Sequence, residues 1–174
     1  FFLNEVENIK NKFKLKKNKK YFHQTADNKF NTIHHIQKFY DHKKLLNIIK
    51  KKKLISFLNK ILQKDFKMRN IEFFLKPQKT GMASPMHQDN FYWNLKDSRG
   101  LNVWVALNDS NKSNGGVKYL KGSHRNGVYS HEISCAKGTS QKIPKKTLEY
   151  LKHKSIIPFL KKGDCIIHHC EVIH

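Results

Sequence analysis

Near residues 40–64, apolar side chains recur at three- and four-residue steps: Leu45, Leu46, Ile48, Ile49, Leu54, Ile55, Leu58, Ile61 and Leu62. This is the period of an amphipathic helix, whose apolar stripe must bury against another element. The runs Lys16-Lys17, Lys19-Lys20 and Lys50-Lys51-Lys52-Lys53 suit the solvated face of such helices, and residues 1–69 as a whole read as polar and helical. From about residue 70 the pattern changes: clusters of Gly, Pro, Asn and Asp separate short runs rich in aromatic and β-branched residues. Strands are predicted at 71–75, 84–89, 101–107, 116–120, 155–159 and 165–173. The fold class expected is mainly β with N-terminal helices, in a single domain. Residues 1–69 would pack on the outside of a sandwich or barrel built by residues 70–174.

Composition leaves this picture intact. The 174 residues are 38% apolar and 11% aromatic, enough for a core and unlike a collagenous or disordered chain. No apolar run approaches the ~18 residues of a membrane span, and the first residues lack the basic-then-apolar plan of a signal peptide. Three cysteines, Cys135, Cys165 and Cys170, make no disulfide framework and read as reduced thiols, so a soluble cytoplasmic protein is expected. The net charge of +22 raises a nucleic-acid reading, yet only Arg69, Arg99 and Arg125 among the 35 cations carry the planar fork suited to phosphate and base recognition. Abundant Lys, Asn, Ile and Phe instead fit a genome poor in G and C, and no specific nucleic-acid partner is expected.

The chemistry enters at His87-Gln88-Asp89. Within a strand, side chains alternate faces, so His87 and Asp89 project together while Gln88 points away. An imidazole and a carboxylate on one face can take adjacent corners of a metal's coordination sphere. The patch from Cys165 to His174 offers a third ligand among His168, His169 and His174, and two histidines with one carboxylate describe a non-haem Fe(II) oxygenase. Against this stands a plain hydrogen-bonded His-Asp pair, with His168 and His169 as a pocket wall. A zinc site built from Cys165, Cys170 and these histidines fits no standard spacing.

Taken together, several segments resemble the phytanoyl-CoA dioxygenase family of Fe(II)- and 2-oxoglutarate-dependent oxygenases, over roughly residues 44–174. They are Leu75-Lys76-Pro77, Pro85 to Trp93, Val103-Trp104-Val105-Ala106-Leu107, Asn114 to His124, and Gly163 to His174. The resemblance implies a double-stranded β-helix, the cupin-like jelly roll, with His87, Asp89 and His174 as iron ligands. It implies that Gln88 and Trp104 border 2-oxoglutarate, and that Trp93 matches an aromatic cofactor-pocket position of the similar ectoine hydroxylases. His169 matches a position five before the distal ligand and is not chosen. Fe(II) would be the cofactor, 2-oxoglutarate and O2 the co-substrates, and the reaction hydroxylation of an unactivated C–H bond in a small organic or lipid-like substrate. A carboxylate at Asp89 argues against halogenation, because halogenating relatives carry a small residue there.

The chain also departs from the family pattern. The family continues past the distal histidine and about ten residues later supplies an Arg whose fork holds the far carboxylate of 2-oxoglutarate. This sequence stops at His174, so a fragment lacking its C-terminal part is expected. Lys121 stands where Pro is common before Gly-Ser-His. Segment 126–154, too long and polar for a hairpin, is expected to form a partly ordered lid near the metal. Two other readings remain: a non-catalytic jelly roll with a basic binding surface, and a mononuclear zinc or manganese enzyme that does not use 2-oxoglutarate.

Overall fold

The computed structural model describes residues 4, 7–11, 21–38, 47, 52–63, 65–137 and 139–174. The chain forms two compact units, Phe1–Gly81 and Met82–His174. Among the described residues, no helix is long and apolar enough to cross a membrane.

The first unit holds a three-stranded antiparallel sheet of β1 (Phe22–Gln24), β2 (Phe30–Ile33) and β3 (Phe73–Phe74), with β2 central. The hairpin β1–β2 falls where the sequence pattern reads as helical. Its turn explains the difference: Asn28 adopts a left-handed conformation that Asn tolerates, and Thr25 and Lys29 close the loop with a 2.9 Å backbone hydrogen bond. β2, Phe30-Asn31-Thr32-Ile33, is buried along its whole length. The helix predicted near 40–64 is present as α1 (Lys52–Leu62), which buries Leu58 and Leu62; most of residues 40–51 lie outside the described residues.

In the second unit, β4 (Leu101–Val105) pairs antiparallel with β9 (Cys165–His169), and β5 (Tyr119–Leu120) with β8 (Ser155–Ile156). β6 (Glu132–Ile133) and β7 (Gln141–Lys142) form a small hairpin, followed by the helix α3 (Lys145–Tyr150). The strand predicted at 84–89 is absent. Residues 84–88 are irregular, and Asp89 opens the short helix α2 (Asp89–Trp93) with Gln88 extended at its N-cap. An acidic residue in the first helical turn is favoured by the helix dipole, and Pro85 withholds a ladder donor, so helix wins locally over strand.

Leu120, Ile143 and Ile173 form the core of this unit, with Met86, Tyr129, Leu148 and Leu151 packed against them. Ile173 is fully buried, and truncating such a side chain costs about 2–5 kcal/mol. Met86 and Ile173 enter this core, and their chain neighbours His87 and His174 belong to the site.

Candidate metal centre

His87 and His174 lie far apart in sequence but exchange both backbone hydrogen bonds, 2.9 Å from His87 N–H to His174 C=O and 3.0 Å in return. This reciprocal pair, the hydrogen-bonded pairing of antiparallel strands, sets the imidazoles side by side with ring centroids 4.4 Å apart. Asp89 is brought in by α2, whose Asn90 N–H donates to Cys170 C=O at 2.8 Å, anchoring the helix start to the end of β9. One oxygen of Asp89, Oδ1, then lies 3.9 Å from His87 Nε2 and 3.9 Å from His174 Nε2. Among the described residues, these three are the group whose ligand atoms converge for a metal, all within 4.8 Å of one another.

The wiring of the two histidines fits that use. His87 Nδ1 donates to Pro85 C=O at 2.9 Å and His174 Nδ1 to Val172 C=O at 3.1 Å, which leaves each Nε2 as a bare lone pair facing Asp89. A metal-binding imidazole is characteristically held this way through its other nitrogen. Burial drives the His174 pKa down to about 3, with the adjacent His87 acting in the same direction, so its imidazole is neutral at neutral pH. For Asp89, burial pushes the carboxyl up, but the facing imidazoles of His168, His174 and His87 outweigh it and leave it below the ordinary value. A neutral imidazole at His174 and an ionised carboxylate at Asp89 are protonation states that metal binding requires.

The remaining sequence-predicted residues divide. Trp104 lies on β4 opposite Ile166, and Asn102, two residues earlier, lies opposite His168. Strand alternation puts Asn102, Trp104 and His168 on one face, and Asn102 Nδ2 reaches Asp89 Oδ2 at 3.4 Å. Trp93 closes α2 and approaches Gly100, where an added Cβ would meet its ring at 3.0 Å. Gln88 is fully buried, and its amide bonds only to the fold: Nε2 donates to Gly127 C=O at 2.8 Å and Glu171 C=O at 2.6 Å, while Oε1 accepts from Tyr129 N–H at 2.7 Å. His169 accepts from Glu171 N–H and lies on the face of β9 opposite to His168. Cys165 is exposed, whereas Cys170 is buried, with its thiol pushed up to about 11 by burial and directed at Ser98 C=O; the structure does not gather the C-terminal patch into a zinc site.

Several polar residues went unread in the sequence. Glu171 is buried and accepts from Asn90 Nδ2 at 2.9 Å and from the Ser98 hydroxyl, tying α2 to the chain before β4. His131 accepts from Gln88 N–H at 3.1 Å and stacks on Phe91 at 4.0 Å, bringing segment 126–154 against the backbone between two of the converging residues. Only the register Asn102↔His168 marks Asn102 and His168 as neighbours of Asp89.

The sequence matches the description of the phytanoyl-CoA dioxygenase family, PhyH, across residues 2–174. The chain belongs to the phytanoyl-CoA dioxygenase family. Members of this family use Fe(II) and 2-oxoglutarate with O2. The chain is 29% identical over 134 residues to phytanoyl-CoA dioxygenase domain-containing protein 1 of Danio rerio, a match spanning 75% of this chain and 43% of that protein. It is 30% identical over 108 residues to phytanoyl-CoA dioxygenase 1 of Oryza sativa subsp. japonica, spanning 62% of this chain and 37% of that protein. The matched region is thus less than half the length of these relatives. Among solved structures, EctD from S. alaskensis with bound Fe superimposes with a TM-score of 0.68 at 17% identity, over 97% of this chain and 60% of that one. The epimerase SnoN, in complex with Fe3+, alpha ketoglutarate and nogalamycin RO, gives 0.67 at 14% identity, over 98% and 65%. At such identities the likeness speaks for the fold, and it identifies the mainly β jelly roll of this PhyH chain.

Proposed function

We propose that the chain is the metal-binding part of an Fe(II)- and 2-oxoglutarate-dependent oxygenase, with His87, Asp89 and His174 as the iron ligands. The observation that carries this reading is the convergence of two Nε2 atoms and one carboxylate oxygen within 4.8 Å, each histidine holding its Nδ1 proton on a backbone carbonyl. Two histidines and one carboxylate are the donor set of mononuclear non-haem iron sites that keep positions open. Bound Fe(II), with 2-oxoglutarate and O2, supplies the oxidation of an unactivated C–H bond, 2-oxoglutarate leaving as succinate and CO2.

The chain's own residues do the rest. His87 and His174 present fixed lone pairs, and Asp89 contributes one negative charge, so a divalent cation retains net charge for anionic co-substrates. Trp104, on the strand face shared with Asn102 and His168, and Trp93, at the end of α2, border the co-substrate. Gln88 shapes that wall from behind through its bonds to Gly127, Tyr129 and Glu171. With a carboxylate in place at Asp89, the expected outcome is hydroxylation of a small molecule, and its location is expected to be the cytoplasm.

Anaerobic titration of the chain with Fe(II) and 2-oxoglutarate tests the reading. A weak visible charge-transfer band that disappears in His87→Ala is expected. Iron binding that persists unchanged in His87→Ala refutes the ligand assignment. A band seen only with a chain extended past His174 places co-substrate anchoring beyond the present sequence.

A further inference from the structure

Asp89 has two carboxylate oxygens, and the fold treats them differently. Oδ1 faces His87 Nε2 and His174 Nε2, each at 3.9 Å. Oδ2 faces two other nitrogens, His168 Nε2 at 3.5 Å and Asn102 Nδ2 at 3.4 Å. His168 is buried and carries the one buried side-chain polar atom, among the described residues, that completes no hydrogen bond, its Nε2. An orphaned buried donor is unfavourable, so this nitrogen has a standing preference for the carboxylate in front of it.

The tautomers separate His168 from the two ligand histidines. His87 and His174 donate from Nδ1 to carbonyl oxygens, which strips the proton from Nε2. His168 is wired the opposite way: its Nδ1 lies 3.2 Å from the Tyr119 hydroxyl. Asp89 Oδ2 in front of Nε2 favours the imidazole proton on that nitrogen, which leaves Nδ1 to accept from the Tyr119 hydroxyl, a phenol that burial and the charge of Asp89 keep protonated. The imidazole proton then sits on Nε2 and points at Asp89 Oδ2. His168 is also outside the group of converging ligand atoms.

We infer that His168, oriented by Tyr119, is a positioning residue that holds Asp89 Oδ2 and leaves only Oδ1 turned toward His87 and His174. The inference rests on the ligand reading proposed above. Its consequence is coordination number. A carboxylate free to rotate can grip a cation through both oxygens and fill a position that co-substrates need, whereas one pinned at Oδ2 offers a single oxygen. Outer partners of this kind tune metal sites almost as strongly as the ligands themselves.

Mn(II), a redox-quiet stand-in for Fe(II), is titrated at neutral pH into the 174-residue chain and followed by electron paramagnetic resonance. Thermal midpoints of the metal-free variants are measured alongside. Wild type is expected to bind and His87→Ala to fail. His168→Leu is expected to weaken binding by about 10–100-fold, His168→Gln, whose amide can still donate, to recover to within about threefold of wild type, and Tyr119→Phe to fall between. Affinity in His168→Leu matching wild type overturns the inference while leaving the ligand reading standing. Wild type that binds no Mn(II) overturns the ligand reading and with it the metal role of His168.

If His168→Leu does not fold, the Gln and Phe variants decide, together with imidazole nitrogen NMR of the metal-free wild type. His168 protonated on Nε2 and bare on Nδ1 is expected, with the Nδ1 shift moving in Tyr119→Phe. A proton on Nδ1 in wild type overturns the inference independently of metal.

Discussion

At the scale of single residues, the site depends on side chains held neutral or charged against their inclination. Burial lowers the His174 pKa to about 3, while an unfolded histidine titrates near 6.5. Between these values the unfolded chain binds a proton that the folded chain refuses, so stability rises with pH across that window and falls as pH drops through about 6.5. Asp89, depressed below its ordinary value, adds its own loss only at lower pH, once an unfolded carboxyl near ~3.9 begins to protonate. Urea unfolding of the metal-free chain at stepped pH is expected to show stability falling from neutrality toward pH 5, and His174→Asn to flatten the slope by at most one proton, about 1.4 kcal/mol per pH unit. A slope unchanged in His174→Asn shows that other histidines carry the acid sensitivity. Gln88 gives a second test at this scale. Gln88→Leu strips partners from two carbonyls and one amide and is expected to destabilise by about 2–4 kcal/mol, with faster hydrogen exchange at Tyr129 N–H. Unchanged exchange at Tyr129 argues against the clasp.

At the scale of elements, α2 and the β4–β9 pair deliver the site, and Gly100 lies where they meet. A methyl group there would lie 2.6 Å from Leu95 Cδ1, 3.0 Å from the Trp93 ring and 3.1 Å from Cys170 Cβ. Gly100→Ala is therefore expected to push Trp93 aside, to cost about 1–3 kcal/mol and to shift tryptophan emission to the red. Emission and unfolding midpoint both equal to wild type refute this packing. The same elements show how far the sequence is legible. Short runs rich in aromatic and β-branched residues mark the strands expected at 101–107 and 165–173, found as Leu101–Val105 and Cys165–His169, and the segments that resemble the family point to His87, Asp89 and His174. The strand expected at 84–89 gives way to α2 because a local preference, Asp in a first helical turn, outweighs a short apolar pattern. The partners of Asp89 at Oδ2 stay hidden because Asn102 and His168 are neighbours only through cross-strand register, which no local spacing reveals. The hairpin at Phe22–Ile33 is hidden for a related reason: its turn rests on one left-handed Asn inside a polar, lysine-rich stretch.

At the scale of the molecule, charge is the dominant quantity, and it is unevenly placed. Of the 35 cations and 13 acids, 21 and six fall within residues 1–81, a net +15, against +7 for residues 82–174, which hold the whole candidate site. Self-repulsion of this size opposes compaction, and it is screened over about 10 Å at ~0.1 M salt. The acids of the second unit are committed locally: Asp89 to its histidines, Asp97 to Arg99 and Glu171 to Asn90 and Ser98. Added salt should therefore act mostly on the first unit. Hydrogen exchange in low and moderate sodium chloride is expected to slow more at the amides that flank β1 and β2, such as Thr25 and His34, than at those of β4–β9. Thermal stability should rise over the same range. Equal slowing in both units means that repulsion is shared by the whole chain, and no slowing in either means that the lysines are spaced widely enough in solvent to cost the fold little. The first pattern ties the basic charge to the stability of residues 1–81 and leaves the chemistry to a centre whose carboxylates, Asp89 and Glu171, are each held by partners within a few ångströms.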